Sequence, residues 1–185
     1  MINTSNLSVE PDQAHSVKQR LPYMAVEESV TRAPVKAAGH GSKIFVVHGH
    51  DGTVRSEVVE FLEKVTGERP VVLHEQADSG RTIIEKFEDH ADEAGFAIIL
   101  LTGDDLGGED MSSVRPRPRQ NVVLELGFFI GRLTRKRVVA LYESGVELPS
   151  DLSGVLYKPL TGNWKIELAT ELKAADIEVD GTKLI

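Results

Sequence analysis

The 185-residue sequence has no cysteine. That excludes a disulfide scaffold, a cysteine zinc site, an iron–sulfur cluster and a cysteine nucleophile. It also lacks any apolar run approaching the ~18 residues of a membrane span, so no contact with a membrane is expected. Met1 is followed by polar residues (Asn3, Thr4, Ser5, Asn6) with no charged and then apolar leader, so no signal peptide is expected and a cytoplasmic location fits. Aromatic residues make up only 5%. A basic excess is missing too: 21 Lys and Arg stand against 29 Asp and Glu, a net charge of −8. A general nucleic-acid binder needs a basic footprint to neutralise phosphates, so a nucleic-acid polymer is not an expected partner.

Residues 1 to 42 differ from the rest. They contain Pro11, Pro22 and Pro34, scattered apolar residues and no sustained period. Four acidic residues balance four basic ones there, so the negative charge belongs to the remainder. This part reads as a disordered tail with a short helix near residues 13 to 20, ending in an Ala-Ala-Gly-His-Gly-Ser linker. Residues 43 to 185 read as the folded domain.

Ile44-Phe45-Val46-Val47 is a short apolar run suited to a strand buried on both faces. Val54, Val58, Phe61, Leu62 and Val65 then recur at helical spacing, with Gly67 placed as a C-cap. Val71 to Leu73 read as a second strand, and Thr82-x-x-Glu85 as a capping box opening a second helix. Phe96 to Leu101 read as a third strand. A polar loop is expected from Thr102 to Arg119, a helix over residues 120 to 133, and strands at Val138 to Leu141 and Val155 to Tyr157. Trp164, Leu168 and Leu172 mark a last helix. Strands alternating with helices imply a parallel sheet. Five of them predict an α/β, flavodoxin-like, doubly wound domain of order 2-1-3-4-5, with ligands beyond the carboxyl ends of the strands.

Glu125 is the residue most out of place. It is one carboxylate in the otherwise apolar stretch Val122-Val123-Leu124-Glu125-Leu126-Gly127-Phe128-Phe129-Ile130. An ionised carboxylate buried without partners costs several kcal/mol. It either pairs with an arginine such as Arg81 or Arg119, or stands in a cleft that tunes it for function. Gly127 and Gly131 lie one turn apart and suggest close packing on the sheet. Arg115, Arg117 and Arg119 precede the helix, where free N–H groups and the dipole favour an anion; the plainer reading is a solvated loop neutralising Glu109 and Asp110. His48-Gly49-His50-Asp51 follows the first strand. Its H-x-H-D spacing lacks the further histidine of a metallo-hydrolase, so no metal is expected. Capping of the next helix by Asp51 or Thr53 reads better, although the loop lies at the ligand-binding edge. The glycine-rich Gly103 to Gly108 is neither a P-loop nor a dinucleotide fingerprint. A phospho-receiver would need an Asp where Leu101-Thr102 stand.

Several stretches together resemble the bacterial TIR-like family of effectors of cyclic-nucleotide anti-phage systems, of CBASS and Pycsar type. They are Lys-Ile-Phe-Val-Val-His-Gly-His-Asp (Lys43 to Asp51), Glu75-Gln76 with Gly80-x-Thr82-Ile83-Ile84-Glu85-Lys86-Phe87, Leu101-Thr102-x-Asp104-Asp105, and Arg117-x-Arg119-Gln120-Asn121-Val122-Val123-x-Glu125-Leu126-Gly127. The resemblance covers roughly residues 43 to 175. It implies a TIR fold and an NAD+ glycohydrolase (NAD+ nucleosidase) that splits the nicotinamide–ribose bond, with Glu125 as the catalytic residue. Phe45, His48, Gly49, Asp51, Asp105, Arg119 and Asn121 would contact substrate. NAD+ would be the substrate, and no cofactor is required. It further implies self-assembly into a homo-oligomer and a cyclic-nucleotide sensor or other upstream partner, for which the 42-residue tail has no room. Ser79-Gly80 replaces the Pro-Gly of classical TIR domains, which argues against adaptor signalling through that loop. Two alternatives stand beside this reading. One is a non-catalytic assembly or nucleotide-binding module. The other is a nucleoside deoxyribosyltransferase-like enzyme, which also uses a glutamate on a related fold.

Overall fold

In the computed structural model, five strands line up in parallel in one sheet. The structure describes residues 41–73, 92–150 and 154–184. The expected helix near residues 13 to 20, the capping-box helix from Thr82 and the loop at residues 75 to 81 lie outside the described residues. The described part falls within one compact unit that begins at Ala38.

The sheet is built from β1 (Lys43–Val47), β2 (Val71–Val72), β3 (Ala94–Leu101), β6 (Val138–Tyr142) and β7 (Leu156–Pro159). Their order in the sheet is β2-β1-β3-β6-β7, and every adjacent pair is parallel. This is the flavodoxin-like order that the strand–helix alternation predicts. β3 is buried along all eight residues because it has a strand on each side and cover on both faces. Its residues alternate between two cores. Phe96, Ile98 and Leu100 join Val46, Val58, Leu62 and Leu168 on one face. Ala97, Ile99 and Leu101 join Phe45, Val122, Leu126 and Phe129 on the other.

Helix α1 (Gly52–Thr66) covers the first face with α3 (Trp164–Ala174). Asp51 caps α1, its Oδ1 accepting from Thr53 N at 2.9 Å and Val54 N at 3.0 Å. Such a cap is worth about 1 kcal/mol. Gly67 ends the helix at φ 77°, a left-handed conformation that glycine adopts without strain. The chain after α3 stays with this core: Ile177, Val179 and Leu184 pack on it, and Asp180 N donates to Val65 O at 2.8 Å.

Helix α2 (Gln120–Leu133) covers the second face. It buries Val122, Glu125, Leu126, Phe129 and Leu133. The structure corrects the expected packing of Gly127 and Gly131 on the sheet. Both are exposed, with nothing within 4 Å of where a Cβ would stand. Val122, Leu126 and Phe129 already occupy the inward face, and the two glycines fall on the opposite one.

The expected polar loop from Thr102 to Arg119 also needs correction. It contains an antiparallel pair, β4 (Asp105–Gly107) and β5 (Arg115–Arg117), with Asp105 opposite Arg117. The loop after β6 holds this hairpin in place. Arg117 forms a two-pronged ion pair with Glu147 (Nε to Oε2 2.9 Å, Nη2 to Oε1 3.3 Å), and Glu147 N donates to Pro116 O at 2.9 Å. Among the described residues no helix is long and apolar enough to cross a membrane.

Candidate active site at the carboxyl edge of the sheet

The ends of β1 and β3 and the start of α2 meet at one edge of the sheet. Hydrogen bonds join the first two. Asp104, three residues past β3, accepts from the backbone N of His50 through Oδ1 at 3.1 Å. Its Oδ2 accepts from Thr102 Oγ1 at 2.8 Å. Thr102 is itself buried. The two loops touch so closely that a Cβ on Gly49 would lie 1.7 Å from Asp104 Oδ2. Any side chain there would displace the Asp104 carboxylate from its present bonds. The start of α2 joins through Arg119, whose Nη1 donates to Nε2 of His50. Arg119 is the residue before the first turn of α2, and its side chain makes no capping bond to the helix.

Glu125 sits on the inward face of that helix, 1% exposed. Among the described residues its Oε2 has no hydrogen-bond partner. A carboxylate removed from water and left short of donors resists ionisation. Burial pushes Glu125 up from 4.5 to about 7, while the Arg119 guanidinium pulls it in the other direction. Among the described residues apolar side chains share the face of Glu125: Val122 and Phe129 at helical spacing, with Phe45 tilted against Phe129 at 5.8 Å between ring centroids.

The other candidate residues fall into distinct places. His48 follows β1, is 6% exposed, and donates from Nδ1 to the Gly49 carbonyl at 2.7 Å. Asn121 is half-buried in the first turn of α2. Phe45 is 0% exposed and lies in the core beneath α2. Asp51 spends its carboxylate on the α1 cap. Asp105 is exposed on β4, across from Arg117. The three arginines do not act as one cradle: Arg117 is committed to Glu147, Arg115 is exposed on β5, and Arg119 turns to His50. Arg81, the other suggested partner of Glu125, lies outside the described residues. Glu109 is exposed, and Asp110 closes its own turn by accepting from Ser112 and Ser113.

Asp104 is the residue at this edge that sequence reasoning passed over. Two adjacent acids, Asp104 and Asp105, follow β3, and spacing alone gives no reason to prefer the first. The signal that separates them is Gly49, meaningful only once the two loops are known to meet.

Comparison with known proteins places this geometry in context. The model of the family described as "CAP12/Pycsar effector protein, TIR domain" matches residues 43–162. The chain is 45% identical over 146 residues to the uncharacterized protein YuaY of Escherichia coli (strain K12), covering 77% of this chain and 48% of that protein. It is 36% identical over 141 residues to protein tirC of Dictyostelium discoideum, covering 70% of this chain and 69% of that one. The Pycsar effector protein BcPycTIR of Burkholderia cepacia is 41% identical over 78 residues, covering 41% of this chain and 25% of that one. The chain thus spans about half the length of YuaY and a quarter of the Burkholderia effector.

Proposed function

The chain belongs to the family of CAP12/Pycsar effector TIR domains, and on that premise we propose that it cleaves the nicotinamide–ribose bond of NAD+, as an effector of a cyclic-nucleotide anti-phage system. The observation that carries this reading is Glu125: a single carboxylate, almost fully buried, with one oxygen that has no hydrogen-bond partner among the described residues and its titration raised to about 7.

The chemistry asks for such a group. Nicotinamide leaves as a neutral molecule from a cationic pyridinium, so the leaving group needs no general acid. What must be stabilised is the positive charge that builds on the ribose as the bond lengthens. A fixed carboxylate in an apolar, water-poor site acts strongly on that charge, because little solvent screens it. Most glycosidases use two carboxylates; with so good a leaving group, one suffices. Oε2 of Glu125 is available to accept from a ribose hydroxyl. The cationic nicotinamide ring favours the ionised form of Glu125, so substrate itself completes the ionisation that burial opposes. Arg119 is the cation at the site's rim and suits the pyrophosphate. Water then adds to the ribosyl carbon and loses a proton to give ADP-ribose; attack by a ring nitrogen of the same molecule's adenine in place of water gives a cyclised variant. Assembly into a homo-oligomer and control by a cyclic-nucleotide sensor or another upstream partner, inside the cytoplasm, belong to the same proposal.

The test is to incubate the purified chain with NAD+ and follow nicotinamide release, with Glu125→Gln in parallel. Nicotinamide release that Glu125→Gln abolishes supports the reading. Exchange of bases on a deoxynucleoside, with NAD+ untouched, would instead indicate deoxyribosyl transfer. Absence of both at every protein concentration would leave an assembly module.

A further inference from the structure

We infer that Asp104 is a positioning residue: its carboxylate fixes the loop after β1 so that His50 meets Arg119, and Arg119 is thereby held where its charge acts on Glu125. The links from Thr102 through Asp104 and His50 to Arg119 are hydrogen bonds in the structure, and the last, from Arg119 to Glu125, is electrostatic. Asp104 Oδ2 is anchored by the hydroxyl of buried Thr102, and Asp104 N donates to Thr102 O at 2.9 Å. This gives the carboxylate one orientation. Oδ1 then takes the N–H of His50, a charge-assisted bond stronger than one between neutral groups. Gly49, with no side chain to interfere, lets the loop close onto the carboxylate. The His50 ring is exposed and would otherwise be free to turn. With its backbone pinned, its Nε2 accepts from Arg119.

Among the described residues, the ionisable groups at this edge are His48, His50 and Asp51 after β1, Asp104 and Asp105 after β3, Arg119 before α2, and Glu143 after β6; the Asp51 carboxylate is held by the α1 cap. Glu143 is held by Gly103 N at 3.1 Å. Asp105 is exposed on the hairpin. Arg119 is the one whose charge bears on Glu125. Asp104 itself carries a negative charge, so its two ways of acting have opposite signs. Acting directly through space, it would make Glu125 harder to ionise, and its removal would lower the titration midpoint. Acting through His50 and Arg119, it makes Glu125 easier to ionise, and its removal raises the midpoint.

The inference rests on the proposed role of Glu125 only for its effect on catalysis, so the deciding measurement uses no substrate. The side-chain 13C signal of Glu125 is titrated by NMR in the full chain, assigned by its loss in Glu125→Gln. His50→Ala and Asp104→Ala should each raise the midpoint, by up to about one pH unit, the size of a lost opposite charge. The double variant should shift no further than His50→Ala alone, because the two act in series. Asp104→Asn can still accept from His50 N and pair with Thr102, so its midpoint should not rise. Thr102→Val, a gentle change that loosens the anchor, should give a smaller rise, and it decides the matter if Asp104→Ala does not fold. A fall in midpoint for Asp104→Ala, no rise in Thr102→Val, or shifts that add in the double variant would each overturn the inference. NAD+ cleavage is measured on the same samples. A chain that shows the shifts and never cleaves NAD+ removes the proposed activity and keeps the positioning role. A chain that cleaves NAD+ with unshifted midpoints does the reverse.

Discussion

Arg119, at the entrance to α2, donates to Nε2 of His50, a residue 69 positions earlier in the chain. That bond ties the helix carrying Glu125 to the loop after the first strand. It also leaves the guanidinium as the cation that opposes the effect of burial on Glu125. Removing it should do two things. The KM for NAD+ should rise more than kcat falls, because a pyrophosphate contact exists in both ground and transition states. The acid limb of the pH profile should also move to higher pH, since the positive charge that favours the ionised carboxylate is lost. Steady-state kinetics of Arg119→Ala across pH 5 to 9 check both. An unchanged KM with lowered stability would make Arg119 a structural residue.

The wild-type pH profile is a prediction in its own right. Only the ionised form of Glu125 stabilises positive charge, so kcat/KM should climb with pH and level off above a midpoint near 7, where the carboxylate titrates in the free protein. A limb near the ordinary 4.5 would mean that a different, solvated carboxylate sets the rate.

Specific activity should rise steeply with protein concentration. Leu106 and Met111 of the hairpin segment and Leu124 of α2 are large apolar side chains exposed to solvent at 74%, 93% and 58%. Covering them favours association. Activity per milligram, measured over a hundredfold range of concentration, tests this. A flat line would describe a self-sufficient monomer.

How far these features can be read in the sequence depends on whether their cause is local. The doubly buried runs of β1 and β3, the Gly67 cap and the span of α2 follow from residues adjacent in the chain, and the expected elements match the structure within a residue or two. Glu125 was visible as a lone charge in an apolar helix. The β4–β5 hairpin was not, because three-residue strands carrying Pro116 have little propensity of their own and depend on Glu147, thirty residues from Arg117. The outward turn of Gly127 and Gly131 was missed for a related reason. Small residues are consistent with close packing, but the phase of a nearly all-apolar helix is fixed only by the sheet it meets. Asp104 was hidden by Asp105, and only the contact with Gly49 separates them.

Glu125→Gln separates a catalytic carboxylate from a structural one most sharply, because the two roles predict opposite results. The folded chain holds the Glu125 proton until about pH 7, whereas the unfolded chain releases it near 4.5. Stability tied to this group is therefore fully present below about 4.5 and declines as pH rises towards 7, staying low above that. At 1.36 kcal/mol per pH unit the decline amounts to roughly 3 kcal/mol. Glutamine has the same shape and no charge, so it escapes this loss. The melting temperature of Glu125→Gln should match wild type near pH 4.5, exceed it increasingly up to about pH 7, and keep that margin at pH 8. NAD+ cleavage should meanwhile fall by orders of magnitude, since one preorganised electrostatic group is typically worth ~2.7–4 kcal/mol in the transition state. A glutamate kept for a salt bridge gives the reverse: a lower melting temperature at pH 8 and turnover reduced only as far as the folded fraction falls. Melting and turnover measured on one preparation decide between them, and a destabilised but fully active Glu125→Gln would remove Glu125 from the chemistry.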